Sequence, residues 1–266
     1  MTVVAVLIAY GSYLLSQIVF WVVLAPMVLL LMPFPRLKYQ LLQSATHRYL
    51  ALFTRTWLPV LGVYRIAEIS GLEIALARRP SLCVANHRGF MDGLLLLGLV
   101  PRTGVLIKSR QARRPLYGFL ERHFDLVAIE RGAFTSIAAS MNRCRGFLGQ
   151  GKNLLVFPEG GRARNGRLQP FQRLAFELAL ATGTPIVPVV IHSTQPFMAK
   201  VPGSFFPNRP NLYRIRFLEP ELPRTNDDGA ALCDRVYRRM SRELKLLDAG
   251  TCWERGQAQH EPANSV

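Results

Sequence analysis

The sequence predicts an α/β domain with a mainly parallel sheet flanked by helices, carried behind a hydrophobic N-terminal two-helix membrane anchor. Three observations lead there. From Val63 onward, short apolar runs alternate with helix-length patterns, the signature of strand–helix alternation. Before that, Thr2 to Met32 holds no charged side chain. After Ala249 the chain turns polar and is expected to be disordered. The boundaries that follow are 1–61 for the anchoring helices, 62–249 for the domain and 250–266 for the tail. A chain of 266 residues has room for one sizeable domain and an anchor.

The apolar run Val3 to Met32 is longer than the roughly 20 helical residues that cross a bilayer core. It lacks the charged start and small-residue cleavage site of a secretory signal, so it reads as a retained anchor. Pro33 and Pro35 end it. Arg36, Lys38, Arg48 and Arg55 follow it and no charge precedes it, which places the rest of the chain on the cytoplasmic face. Tyr39–Leu61 reads as a second helix. Leu42, Tyr49, Leu50, Phe53 and Trp57 can share its apolar face, suited to the headgroup layer. The competing reading of that face is core packing.

Strands are expected at Tyr64–Ile69, Leu82–Ala85, Val105–Ile107, Leu126–Ile129, Leu154–Phe157, Ile186–Ile191 and Tyr213–Leu218. Helices are expected at Phe90–Leu99, Pro115–Arg122, Thr135–Leu148, Leu174–Ala181 and Asp228–Leu247. Net charge is +16, which implies an anionic partner: nucleic acid, anionic lipid headgroups or an acidic carrier. The basic residues are scattered and aromatics do not interleave with them, so nucleic acid is not expected. Cys83, Cys144, Cys233 and Cys252 form no CxxC pair, and neither a disulfide framework nor a metal site is expected.

The most informative stretch is Asn86-His87-Arg88-Gly89-Phe90-Met91-Asp92. It puts His87 in the loop after a strand and Asp92 in the first turn of the next helix. A carboxylate on one imidazole nitrogen fixes the tautomer and leaves the other nitrogen to take a proton from a hydroxyl. No GxSxG elbow is present and no Ser or Cys stands beside the pair, so direct attack by an acceptor hydroxyl is the simplest chemistry. A second loop, Phe157-Pro158-Glu159-Gly160-Gly161-Arg162, follows another strand. Its Gly-Gly backbone and Arg162 suit an oxyanion or phosphate, and Glu159 can hold an arginine or meet an acceptor's hydroxyls. Arg131 lies just past a third strand. Thr184 to Ile191 reads as a buried strand that shapes the pocket wall.

These stretches, in this order, resemble the lysophospholipid acyltransferase family that includes the 1-acylglycerol-3-phosphate acyltransferases. The likeness covers roughly residues 60 to 220. It rests on the His-x4-Asp box of Asn86 to Asp92, the block Ile129 to Gly132, the block Phe157 to Arg162 and the Val-Pro block Val187 to Ile191. The resemblance implies His87 as base, Asp92 as its partner and Lys108 near the thioester carbonyl. It implies Arg131 and Arg162 on the acceptor phosphate, with Asn86, Glu159, Gly160 and Gly161 lining the site. It implies no cofactor. Acyl-CoA or an acyl-carrier protein would be co-substrate, a lysophospholipid the acceptor, phosphatidic acid the product and phospholipid biosynthesis the context. Gly161 stands where the family usually has Thr, Ala163 where Ser is usual, and Leu174 where Gly is frequent, which leaves other acceptors open, a lyso-aminolipid among them. A thioesterase using the same pair on water is a rival. A non-catalytic basic protein of membrane surfaces or nucleic acid is another.

Overall fold

The computed structural model describes residues 3–77, 79–108, 126–129, 134–163, 167–195 and 211–258. The chain opens with helix α1 (Val3–Leu30) and helix α2 (Pro35–Leu52), the second entered through a proline that suits a first helical turn. A π-helical turn at Phe53–Trp57 and the short helix α3 (Leu58–Val60) continue it. Then come β1 (Arg65–Ser70), α4 (Leu72–Ala77), β2 (Leu82–Ala85), α5 (Met91–Leu99), β3 (Thr103–Lys108) and β4 (Leu126–Ile129). The remainder is α6 (Phe134–Gly149), β5 (Asn153–Val156), α7 (Leu174–Thr182), β6 (Ile186–Ser193), β7 (Leu212–Phe217) and α8 (Gly229–Ala258). The expected helix Pro115–Arg122 lies outside the described residues, as does Arg131. The short helix α4 was not expected from the sequence, and α8 continues to Ala258, beyond the boundary set at 250. Once a long helix is nucleated, each further residue adds a hydrogen bond cheaply, so polarity alone does not stop it.

The seven strands form one sheet in the order β1-β7-β6-β2-β5-β3-β4. From β6 across to β4 every pairing is parallel, and β7 joins β6 antiparallel while β1 pairs parallel with β7. The mainly parallel sheet is as expected.

Alternation along the central strands divides the core in two. Cys83, Ala85, Leu155, Val187, Val189 and Ile191 pack on one face against Met91, Leu95, Leu96 and Leu99 of α5. Leu82, Val84, Leu154, Val156, Ile186 and Val190 face the other way, against α6, α7 and α8. Both faces are covered, which is why these strands read as continuous apolar runs.

α2 belongs to the first of these layers. Leu42 and Phe53 are buried, and Tyr49 packs on the core with Phe53. Much of the face expected in the headgroup layer is therefore spent on the domain, and residue 61 is not a clean boundary. The reason is a close helix crossing: a Cβ at Gly98 of α5 would sit 3.0 Å from the backbone nitrogen of Ala51. The π-turn adds a second tie. Within it the Thr54 carbonyl accepts a hydrogen bond from the buried Tyr64 hydroxyl at 2.5 Å.

α1 packs antiparallel on α2. Trp57 Nε1 donates to Ser12 (3.1 Å), the Ser16 and Tyr49 hydroxyls are 2.8 Å apart, and Phe20 stacks on Tyr49 at 4.4 Å. Its other side bears Leu14, Leu15, Ile18, Val19, Val22 and Val23, all more than half exposed. Among the described residues no helix is long and apolar enough to cross a membrane, so the expected bilayer span finds no support there.

Candidate active site

A parallel sheet offers a crevice where neighbouring strands send their connections to opposite faces. That happens between β2 and β5. β2 leads into α5 on one face, while β5 leads toward α7 on the other. The two loops with the strongest sequence signals leave the sheet side by side at this point. β3 ends beside them, so Lys108 joins the same rim.

The β2 loop is pinned at every residue. Asn86 is buried, and its amide donates to the Ile191 carbonyl (2.9 Å) while accepting from the Ile191 N–H (2.7 Å). The His87 N–H donates to Glu159 Oε1 at 2.7 Å, and the His87 carbonyl accepts from the Ala163 N–H at 2.7 Å. The Arg88 and Gly89 N–H groups donate to Asp92 Oδ2 at 2.6 and 2.7 Å. Asp92 is fully buried in the first turn of α5, where the helix dipole favours a carboxylate.

The same Asp92 oxygen lies 3.1 Å from His87 Nδ1. A carboxylate can only accept, so Nδ1 carries the proton and Nε2 presents its lone pair. The Phe157 ring stacks on the imidazole at 4.2 Å between centroids and 25° between planes. One face of the His87 ring is thus covered and its plane set.

The β5 loop is a tight turn. The Gly160 N–H donates to the Phe157 carbonyl at 3.0 Å, and Gly160 takes φ +65°, a conformation that favours glycine. Glu159 Oε2 accepts from the Gln169 N–H at 2.9 Å. Burial is the largest influence on the Glu159 carboxyl and raises its pKa, partly offset by the two backbone donors. Both oxygens are engaged by backbone, so Glu159 braces the two loops. Glu159 and Asn86, both expected to line the substrate site, are held here by backbone groups of the neighbouring loop and strand. Arg162 is half-buried on this turn. A Cβ at Gly161 would lie 3.6 Å from Lys108 Nζ, which places the ammonium over the Gly-Gly segment.

The structure therefore brings His87, Asp92, Lys108, Glu159, Gly160, Gly161 and Arg162 to one rim. Sequence reasoning missed Phe157 as a ring partner and Ile191 and Ala163 as backbone partners. Phe157 adjoins a recognised loop, but nothing in its spacing announces a stack on His87. Among the described residues no group of three His, Cys, Asp or Glu side chains is placed to hold a metal ion. Cys83 and Cys144 are buried, and burial pushes their thiols up to about 11 and about 12.

A family model described as "Acyltransferase" matches residues 66–192. The chain is 30% identical over 194 residues to the 1-acyl-sn-glycerol-3-phosphate acyltransferase alpha of Mus musculus, covering 70% of this chain and 67% of the mouse protein. It is 31% identical over 138 residues to the chloroplastic 1-acyl-sn-glycerol-3-phosphate acyltransferase of Brassica napus. That match covers 49% of this chain and only 38% of the relative. The fold is similar to the crystal structure of the 1-acyl-sn-glycerophosphate acyltransferase of Thermotoga maritima. There the TM-score is 0.60 and the identity 21%, over 91% of this chain and 98% of that one.

Proposed function

The chain belongs to the acyltransferase family of the 1-acyl-sn-glycerol-3-phosphate acyltransferases, and we propose that it transfers a fatty acyl group from a thioester to the free hydroxyl of 1-acylglycerol-3-phosphate. The donor is acyl-CoA or an acyl-carrier protein, and the product is phosphatidic acid for phospholipid biosynthesis. The observation that carries this reading is the His87–Asp92 pair at the mouth of the β2/β5 crevice.

The chemistry balances with the residues present. The acceptor oxygen attacks the thioester carbonyl while His87 Nε2 takes its proton. Asp92 steadies the imidazolium that forms, at about 10²–10⁴-fold in rate for general-base help of this kind. The carbon–sulfur bond breaks, and the thiolate leaves with the proton from His87. Lys108, whose ammonium lies over the Gly160–Gly161 segment, meets the oxyanion. Arg162 takes the acceptor phosphate, and Arg131, which follows β4 in the sequence, is assigned to it with Arg162.

Membrane attachment is part of the proposal. α1 leaves Leu14, Leu15, Ile18, Val19, Val22 and Val23 exposed along one side, and an exposed apolar face of this kind marks an interaction or membrane surface. It suits insertion into lipid beside the lipid substrates, with Arg36, Lys38, Arg48 and Arg55 meeting headgroups on the cytoplasmic face.

The test is an acyl-transfer assay in detergent, offering lysophosphatidic acid with acyl-CoA and, separately, acyl-carrier protein. Wild type should yield the diacylated phosphate. His87→Ala should lose at least about 10²-fold in turnover while keeping its melting transition. Free fatty acid in place of diacyl product would make the chain a thioesterase. Equal turnover in the variant would put the base elsewhere.

A further inference from the structure

Arg88 sits between His87 and Gly89 in the pinned loop, and its side chain is only 8% exposed. His192 stands at the end of β6, directly after the residue that clamps Asn86, and its side chain is 4% exposed. Both reach one carboxylate oxygen. Arg88 Nη2 lies 3.4 Å and His192 Nε2 3.2 Å from Asp248 Oδ1. Asp248 comes from α8, some 160 residues along the chain from Arg88, and its own side chain is 51% exposed. The family match stops at residue 192, so α8 lies wholly outside it.

A buried guanidinium needs an anion, because removing charge from water is costly unless it is compensated. Here one compensating anion comes from a helix far along the sequence. It also touches the end of the strand that holds the other flank of the loop.

We infer that Asp248 is a positioning residue for His87: α8 straps the ends of β2 and β6 together through Arg88 and His192, and so holds the loop that carries the base. Two consequences follow from the geometry. Loosening the strap lets the loop shift, and a misplacement of about 1 Å costs up to roughly 10²-fold in rate. Removing the Asp248 charge also leaves the cation of Arg88, the residue next to His87 in the chain, less compensated. A neighbouring cation disfavours the imidazolium, so the His87 titration moves to lower pH. Among the described residues the other charged groups on this rim are Asp92, Glu159, Lys108 and Arg162, and none of them is altered.

This inference rests on the transferase reading, so its test has a readout besides turnover. The full chain in detergent is compared with Asp248→Ala and Asp248→Glu. Turnover is measured with lysophosphatidic acid and acyl-CoA, and the His87 ring is titrated by NMR after its signal is identified by its loss in His87→Gln. Expected are a fall in kcat of at least roughly tenfold with KM little changed, a His87 midpoint moved to lower pH, and recovery of both in Asp248→Glu. Unchanged kcat together with an unchanged His87 titration would overturn the inference. So would a loss of kcat that only follows the folded fraction while the titration stays put. If wild type transfers no acyl group, the functional reading fails, and the His87 titration still decides the strap. If Asp248→Ala unfolds, Arg88→Gln/Asp248→Asn removes cation and anion together. Low kcat in that folded protein supports the strap, and wild-type kcat overturns it.

Discussion

At the scale of single residues, the site rests on two carboxylates doing different work. Asp92 orients His87 through its ring and also binds two peptide N–H groups of the loop. Glu159 binds the His87 peptide N–H and so reaches the same residue through its backbone. Burial raises the Glu159 pKa, which sets a sign for pH dependence. A carboxyl that holds its proton more tightly when folded contributes most to stability below its unfolded pKa. That contribution is lost as pH rises through the raised folded value. Melting of wild type and Glu159→Gln across about pH 4 to 8 should show this. Wild type minus variant should be greatest at the acid end, fall as Glu159 ionises and then level off. Parallel curves would show that Glu159 does not titrate with folding. The variant should also lose turnover, because one of the two backbone donors then faces an amide NH₂.

At the scale of elements, the β5 loop shows why two adjacent glycines are not equivalent. Gly160 occupies φ +65°, where an added Cβ meets backbone, at a cost of about 1–2 kcal/mol. Gly161 has no such constraint, and its added Cβ would meet only the flexible end of Lys108 at 3.6 Å. Thermal melts should therefore find Gly160→Ala destabilised by about 1–2 kcal/mol and Gly161→Ala within about 0.5 kcal/mol of wild type. Equal losses would contradict the turn geometry. Element types were largely legible in the sequence because burial on both faces leaves a strong apolar signature. The boundary between anchor and domain was not. The apolar stripe on α2 is the same whether its partner is lipid or α5, and periodicity carries no information about which.

At the scale of the molecule, the two sides of the sheet differ in what lies beyond them. One carries α5, then α2, then α1 with its exposed apolar side. The other carries α6, α7 and α8. The membrane proposal is tested on the full chain with Ile18→Glu/Val22→Lys. These exposed positions lie one turn apart, so the pair keeps helix-compatible charges. A charge on the inserting face opposes its burial among the acyl chains. Co-sedimentation with anionic vesicles should fall sharply, while transfer in detergent micelles stays near wild type. Undiminished vesicle binding would show that α1 is not the attachment.

By itself the sequence determined the strand–helix alternation, the charge-free first helix and the loop residues with chemical potential, because each is written in local composition and spacing. His87 with Asp92 belonged to that local class, being five residues apart. Only the tertiary structure decided that Glu159 and Asn86 brace the loop, that Phe157 covers the imidazole and that Asp248 reaches Arg88. These contacts join residues 70 to 160 positions apart, and their partners are often peptide groups that every residue carries. No side-chain pattern marks such partners; the strand order does, by setting β2 between β5 and β6.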